Sequence, residues 1–389
     1  MTRKDFLTAL GAGAGALAAT GLKAVPAPAV TPGTGFFGSH LDDLLCLDDF
    51  EERARQVMDP AVYAFVSSGA ADEITLRWNR EKYREIRLQE RVLIDVSQVS
   101  CATTLLGQPM SMPILLAPTS THRAVHPDGE LATARGAGLA GATMVLSSGS
   151  NTSIEDVMGV ATHPVWFQLY VAQDRGLAKA LIQRVEAAGA KAICVTVDAP
   201  LDGARNHQER HKVVLPSGVG FPHYVGIKEP PSSMSVDLVR AAKLEWRDIE
   251  WIRSLTKLPL LLKGIMNPLD ADRGIKLGAD GIMVSNHGGR NLDTQPATIE
   301  ALPRVVAHVG GRVPVIVDGG IRRGTDVVKA LALGASAVQI GRPYVYGLAV
   351  GGADGVARVV KLLREELLIA MALLGRPNLA AIDRSVLWL

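Results

Sequence analysis

What this chain has little of narrows it quickly. Its 389 residues hold three cysteines, Cys46, Cys101 and Cys194, all widely spaced. That is neither a disulfide framework nor a cluster of metal ligands, so no metal centre is expected. Cys194, inside AICVTVDAP, reads as a buried small hydrophobe. An excess of one charge is missing too: 41 basic against 39 acidic residues leave a net +2, with the signs mixed along the chain. Nucleic acid is therefore not an expected partner. No glycine-rich dinucleotide fingerprint follows an apolar run, and no short-period repeat marks a solenoid. The weakly apolar stretch TALGAGAGALAATGL is too short and too rich in glycine for a membrane span.

That stretch fits an export signal instead. MTRKDFL carries Arg3 and Lys4, the apolar run follows, and Ala27-Pro28-Ala29 offers a small-residue cleavage site. TRKDFL resembles the twin-arginine motif, with Lys4 in place of the second arginine. That route suits a protein that folds around a cofactor before crossing the membrane. Residues 1–32 are expected to be this signal, giving a periplasmic protein. The alternative is a disordered tail on a cytoplasmic one.

What is present is the texture of a large α/β protein, with 48% hydrophobic residues and 39 glycines. From Asp42 to about Ile94 the pattern is helical and polar, with two short amphipathic helices in LDDFEERARQVMDPAVYAFVSSGA and Pro60 opening the second. After Pro113 come eight short apolar runs: ILLAP, TMVLSS, VWFQLY, AICVTVDAP, PLLLKG, GIMVSNH, VPVIVDGG and AVQIGRP. Helical segments such as GELATARGAGLAG, GLAKALIQRVEAAGA, NPLDADRGIKLGA and GTDVVKALALGA separate them, several ending in a Gly-Ala pair that serves as a helix stop. Continuous apolar strands alternating with helices predict a covered parallel sheet, and eight units predict a (β/α)8 TIM barrel behind a short N-terminal helical segment. A doubly wound open sheet is the alternative. The domain is expected to span 42–383. The irregular stretch from Val213 to Ser235 reads as an excursion over the barrel mouth, a lid.

Barrel chemistry sits where strands end. Here those ends supply Thr119, Ser120, Ser147, Ser148, Gln168, Tyr170, Thr196, Asp198, Lys263, Ser285, His287, Asp318 and Arg342. Burying such groups is unfavourable unless something pairs with them, so a polar ligand across the mouth is expected. The seventh and eighth ends, VDGGIRRGTD and QIGRPYVYG, combine glycine and arginine, with a helix starting near Thr325. Loops there commonly hold phosphate. In GIMVSNHGGRNLD, a base and a fixed cation share one short glycine-containing loop. Such a pair could hold a small anion and take a proton from it.

Together SNHGGRNLD, SSGAADEITLRWNR, LAPTSTHRAVHPDGE, FQLYV, TVDAP, LLKG, DGGIRRGTDVVKALALGA and IGRP resemble the FMN-dependent L-2-hydroxy acid oxidase and dehydrogenase family. That family includes glycolate oxidase, lactate oxidase, L-lactate dehydrogenase and mandelate dehydrogenase. The resemblance implies FMN across the barrel mouth, its phosphate on Gly320, Arg323, Gly341 and Arg342, with Arg322 also among the cofactor-binding residues. It places Thr119, Ser120, Ser148, Gln168, Thr196, Ser285 and Asp318 around the cofactor, with Lys263 beside the ring edge where charge collects on reduction. It makes His287 the base that takes the substrate proton and Asp198 its carboxylate partner. Arg290 anchors the substrate carboxylate, Arg205 is a second arginine near it, and Tyr170 bonds the hydroxyl or the ketone that forms. The expected partners are a 2-hydroxy acid and an electron acceptor, O2 or a quinone or other carrier, with the chain a homo-oligomer, often a tetramer.

Three positions depart from the family pattern. Phe65 stands where many members carry a tyrosine whose hydroxyl helps hold the carboxylate. Gly149 replaces a bulky aromatic over the substrate. Both point to a larger or more apolar acid than glycolate. Ser120 stands where alanine or glycine is common, a position that affects reactivity with oxygen, so oxidase and dehydrogenase both stay open. A different FMN or phosphate-binding barrel, such as an isomerase, and a silent flavin-binding homologue are the competing readings.

Overall fold

A computed structural model describes residues 41–211, 213–224 and 243–388. The expected export signal lies outside the described residues, as does the 225–235 part of the expected lid.

The two short N-terminal helices are α1 (Leu47–Val57) and α2 (Pro60–Ser67). Asp59 opens α2 by accepting the backbone N–H groups of Ala61 and Val62 at 2.8 and 3.2 Å. Pro60 takes the first helical position, where an N–H would have no helical partner anyway. A third helix, α3 (Ile74–Glu85), follows. Its start is held by a residue far along the chain: Asp293 accepts from the N–H groups of Asp72, Ile74 and Thr75 at 3.1, 3.2 and 2.8 Å. The final residue of SNHGGRNLD thus supplies the negative charge that a helix N-terminus favours.

All eight apolar runs form strands: β1 (Ile114–Leu116), β2 (Thr143–Ser147), β3 (Val165–Leu169), β4 (Ile193–Thr196), β5 (Leu260–Lys263), β6 (Gly281–Val284), β7 (Val315–Val317) and β8 (Ala337–Ile340). They pair in parallel, each with its sequence neighbours, and β8 returns to β1 to close the barrel. The fold is the expected (β/α)8 barrel, and the open-sheet alternative is excluded because no edge remains. The four helical segments read from sequence are α4 (Gly129–Ala140), α5 (Arg175–Ala187), α6 (Pro268–Lys276) and α7 (Gly324–Ala332). Each stops in the same way. The N–H groups of Ala142, Ala190, Ala279 and Ala335 reach back five residues to the carbonyls of Ala137, Val185, Gly274 and Ala330. The preceding glycines, Gly141, Gly189, Gly278 and Gly334, take φ between +73° and +99°. This Gly-Ala stop satisfies carbonyls that the ended helix leaves over.

Inside the barrel, Leu115, Val145, Trp166, Cys194, Leu261, Met283, Ile316 and Ala337 form an apolar floor. A short antiparallel hairpin, Thr103–Leu105 against Gln108–Met110, plugs the bottom with Leu105 and Met110. The indole N–H of Trp166 donates to Gln108 Oε1 at 3.1 Å. Sequence reading missed this hairpin because its strands have three residues each, too few to show alternation. The last helical stretch, α8 (Arg342–Leu373), is broken at Gly351–Gly352 and packs along α4 and α1.

Candidate active site

Side chains alternate along a strand, so two residues above each floor position lies the next inward-facing layer. Those positions are Ala117, Ser147, Gln168, Thr196, Lys263, Ser285, Asp318 and Gln339, seven of them polar. They form runs of hydrogen bonds. Ser147 Oγ donates to Gln168 Oε1 at 2.9 Å, and Gln168 Nε2 donates to Thr196 Oγ1 at 2.8 Å. Lys263 Nζ donates to Ser285 Oγ at 3.3 Å and lies 4.0 Å from Asp318. Two residues further up stand Thr119, Tyr170, Asp198 and His287, with glycines Gly320 and Gly341 at the same level. The floor is dry, the layer above it is polar, and the third layer carries the reactive groups.

His287, three residues past the end of β6, takes φ at +58°, and Gly288 and Gly289 continue in the left-handed region at +64° and +72°. A side chain is rarely tolerated there, and here the turn swings the imidazole back over the barrel. Its Nδ1 lies 3.0 Å from Asp198 Oδ1 and its Nε2 lies 3.2 Å from the Tyr170 hydroxyl. A carboxylate only accepts, so Nδ1 carries the proton and Nε2 offers its lone pair to Tyr170 and the cleft. Burial, then the Lys263 charge, push the imidazole pKa down to about 4, against the upward pull of Asp198. Burial pushes the Asp198 carboxyl up, but His287 and Lys263 outweigh it and hold it below the ordinary value. At neutral pH the site therefore presents a bare imidazole nitrogen backed by a carboxylate.

The SNHGGR loop is braced from behind. Asn286 and Asn79 exchange side-chain hydrogen bonds at 2.9 Å each, and Ala70 N–H donates to the Gly289 carbonyl at 2.8 Å. A side chain at Gly289 would come within 2.7 Å of Leu76 N, so α3 sets this glycine. The end of α2 then orients two arginines. Arg290 Nη1 donates to the carbonyls of Phe65 and Ser68 at 2.7 and 2.9 Å, and Arg342 donates to those of Val66 and Ser68, both at 2.9 Å. Helix-end carbonyls lack helical partners and carry partial negative charge, which suits guanidinium groups. Arg290 Nη2 also donates to Gln208 Oε1 at 3.3 Å, and the residue lines the cleft. The ring of Phe65 lies under that guanidinium, 5.1 Å away. Arg205 donates to the Arg290 carbonyl at 3.1 Å and pairs with Asp202 at 3.0 Å. Burial first, then Arg205 and Arg342, push the Arg290 pKa well down, the mark of cations crowded where an anion belongs.

A cleft of about 1190 Å3, counting its open mouth, joins these groups to the ends of β7 and β8. Of the residues expected to hold FMN, Thr119, Ser120, Lys263, Asp318, Gly320, Arg322, Gly341 and Arg342 line it. Several expectations change. Arg323 does not line it: its side chain is about half exposed and pairs with Glu366 at 3.3 Å, while Arg322 faces inward. Nor is the start of α7 open to an anion, because Asp326 accepts the N–H groups of Arg322 and Arg323 at 3.0 Å and Glu366 accepts that of Gly324 at 2.9 Å. Ser147, rather than Ser148, borders the cleft. The Ser148 hydroxyl accepts from Tyr170 N–H at 3.0 Å and from the Tyr224 hydroxyl at 2.9 Å, which makes it a brace for Tyr170. Gln168, Thr196 and Ser285 do not line this cleft; they are hydrogen-bonded within the same layer, with Ser147 and Lys263 among their partners.

The donor set fits FMN. Both polar atoms of the Gln339 amide and Asp318 Oδ1 are buried at this cleft without a partner among the described residues, which natural proteins rarely leave so. Arg322 and Arg342 suit a phosphate, and a Cβ built on Gly341 meets nothing nearer than 3.7 Å, room for a ligand to approach the backbone. Gln339 escaped sequence reading because it lies one turn of the alternation below the strand end. Among the described residues no group of three or more side chains could hold a metal ion.

Comparison with known proteins agrees with this geometry. Residues 54–389 match the FMN-dependent dehydrogenase family. An L-lactate oxidase of Nostoc sp. is 47% identical over 88% of this chain and 98% of its own length. A peroxisomal (S)-2-hydroxyacid oxidase of Arabidopsis thaliana is 44% identical over 89% and 96%. Among solved structures, a soluble mutant of the membrane-associated (S)-mandelate dehydrogenase from Pseudomonas putida superimposes with a TM-score of 0.84 at 36% identity, covering 89% of this chain and 99% of that one. Mandelate oxidase with (S)-2-phenylpropionate gives 0.80 at 38% identity, covering 88% and 97%. The isomerase and silent-homologue readings give way to an oxidoreductase. The chain belongs to the FMN-dependent dehydrogenase family and is an FMN enzyme that oxidises 2-hydroxy acids.

Proposed function

We propose that the protein oxidises an L-2-hydroxy acid to the 2-oxo acid, with His287 as base and Arg290 as carboxylate anchor, and passes the electrons to O2 or to a quinone or other carrier. The observation that carries this reading is the His287 imidazole, neutral and fixed between Asp198 and Tyr170 at 3.0 and 3.2 Å. Bound FMN supplies the acceptor for the two electrons that leave the substrate carbon. Arg290 receives the carboxylate, with Arg205 adding charge from the side. His287 Nε2 takes the substrate proton, and Asp198 stabilises the imidazolium that results. Tyr170 holds the substrate oxygen beside the base. Lys263 places a fixed positive charge at the bottom of the cleft, where it stabilises negative charge that develops during the reaction.

Phe65 and Gly149 favour a larger or more apolar acid than glycolate. The test is the visible spectrum of the anaerobic holoprotein during addition of L-2-hydroxy acids from glycolate and lactate to mandelate. The expected result is bleaching, fastest with the larger acids, and readmitted air then reports whether O2 is the acceptor. A flavoprotein that no acid bleaches overturns the substrate class, and fastest bleaching by glycolate overturns the enlarged site. The Arg3-Lys4 leader and a tetrameric assembly belong to the same proposal. N-terminal sequencing of the mature protein and light scattering of the purified holoprotein test them.

A further inference from the structure

Behind Thr119, at the end of β1, lies a buried polar cluster that the mechanism above does not use. Thr121 takes φ at +66° and turns the chain so that His122 comes back beneath Thr119. His122 is 1% exposed, and Thr133 on α4 and Tyr344 on α8 are fully buried. Thr119 Oγ1 lies 2.6 Å from His122 Nε2 and 2.5 Å from the Tyr344 hydroxyl. Tyr344 donates to the Ala117 carbonyl at 2.7 Å, and Thr133 Oγ1 lies 3.0 Å from His122 Nδ1. Burial holds the imidazole pKa below its ordinary value, against the nearby Glu130 carboxylate, so the ring is neutral and carries one proton.

One arrangement of protons satisfies all four short contacts. Ala117 O can only accept, so Tyr344 gives it its proton. Thr119 must then donate to Tyr344, His122 Nε2–H must donate to Thr119, and Thr133 must donate to Nδ1 rather than to the Gly129 carbonyl, which lies farther away at 3.4 Å. The other tautomer leaves two hydroxyl oxygens 2.5 Å apart with no proton between them. The Thr119 proton is thus committed inside the protein, and its oxygen offers the cofactor cleft a lone pair only.

We propose that His122 and Tyr344 are positioning residues that hold Thr119 as a one-way hydrogen-bond acceptor at the cofactor cleft, and that this acceptor favours reduced FMN. Reduction turns a flavin ring nitrogen from an acceptor into an N–H donor, so a fixed acceptor facing that nitrogen binds the reduced state more strongly than the oxidised one. Tyr344→Phe frees the Thr119 proton, and His122→Leu removes the donor that orients Thr119. His122→Gln keeps both functions, because its amide N–H2 can donate to Thr119 and its oxygen can accept from Thr133.

The inference rests on FMN occupying this cleft, and the experiment separates the two. Apoprotein is first titrated with FMN, and a wild-type protein that does not bind it removes the site reading itself. The midpoint potential of each holoprotein is then measured by spectroelectrochemistry. Tyr344→Phe and His122→Leu are expected to lower it by about 30 mV, the two-electron equivalent of a tenfold change in relative affinity. His122→Gln is expected to match wild type, and His122→Leu is expected to add nothing in a Thr119→Val background, since its effect passes through Thr119. Should His122→Leu fail to retain FMN, Tyr344→Phe decides alone. A wild-type potential in the FMN-binding variants, or a shift that persists in the Thr119→Val background, overturns the proposal.

Discussion

His287 Nδ1 meets Asp198 Oδ1 at 3.0 Å, joining the ends of β4 and β6 across the strand between them. A side chain on that intervening strand's end would prevent the contact. A Cβ at Gly264 would fall 2.4 Å from Asp198, so glycine is required there for the pair to form.

With His287 as the proposed base, that pair is expected to set the pH behaviour of the reaction. The active form of the base is neutral, and its pKa in the free enzyme is held down to about 4. The kcat/KM profile is expected to stay flat as pH falls from 8 through 6.5 and to drop only below that. An acid limb at or above 6.5 contradicts it. His287→Ala is expected to lower kcat/KM by about 10^2 to 10^4 while FMN stays bound, and Asp198→Asn by about 10^2.

Stability should fall over the same acid range. His287 and His223 both have pKa values pushed down to about 4, His223 by burial first and by Arg184 second. His223 Nε2 accepts the Ile154 N–H at 3.0 Å, a bond that protonation destroys. Between the unfolded value of about 6.5 and the folded value, the unfolded chain binds protons that the folded one does not. Stability is therefore complete above that range and lost as pH falls through it, by up to about 3 kcal/mol per histidine. Urea unfolding at pH 7 and pH 5 measures the loss, and His223→Gln is expected to reduce the difference.

The two adjacent arginines after β7 should behave differently. Arg322 lines the cleft and Arg323 pairs with Glu366 outside it. Arg322→Gln is expected to weaken FMN binding about tenfold or more while leaving riboflavin binding, which involves no phosphate, within about twofold. Arg323→Gln is expected to leave both near wild type. Equal losses for the two variants contradict the assignment.

Phe65 offers a gain of function. Its ring lies 5.1 Å from the Arg290 guanidinium. Phe65→Tyr adds a hydroxyl beside Arg290, the proposed carboxylate anchor, and a hydrogen bond to a charged group contributes about 1.5–3 kcal/mol. KM for glycolate or lactate is expected to fall about tenfold, with kcat changed less. An unchanged KM shows that the hydroxyl does not reach the substrate.

The sequence by itself determined the barrel, because eight apolar runs and Gly-Ala helix stops are local patterns that survive without tertiary contacts. It also determined which residue types stand at the strand ends, and with them the His287, Arg290 and Asp198 set. What it did not contain is direction. Arg322 and Arg323 are the same letter twice, and only the fold turns Arg323 out to Glu366 while Arg322 lines the cleft beside Glu51. Ser147 and Ser148 are equally ambiguous until Tyr224 and Tyr170 claim the second hydroxyl. The proton direction at Thr119 depends on His122, Thr133, Tyr344 and Ala117, brought together from up to 227 residues apart. Composition and periodicity report how often a residue type recurs, whereas hydrogen-bond direction is fixed by which partners surround a group in three dimensions.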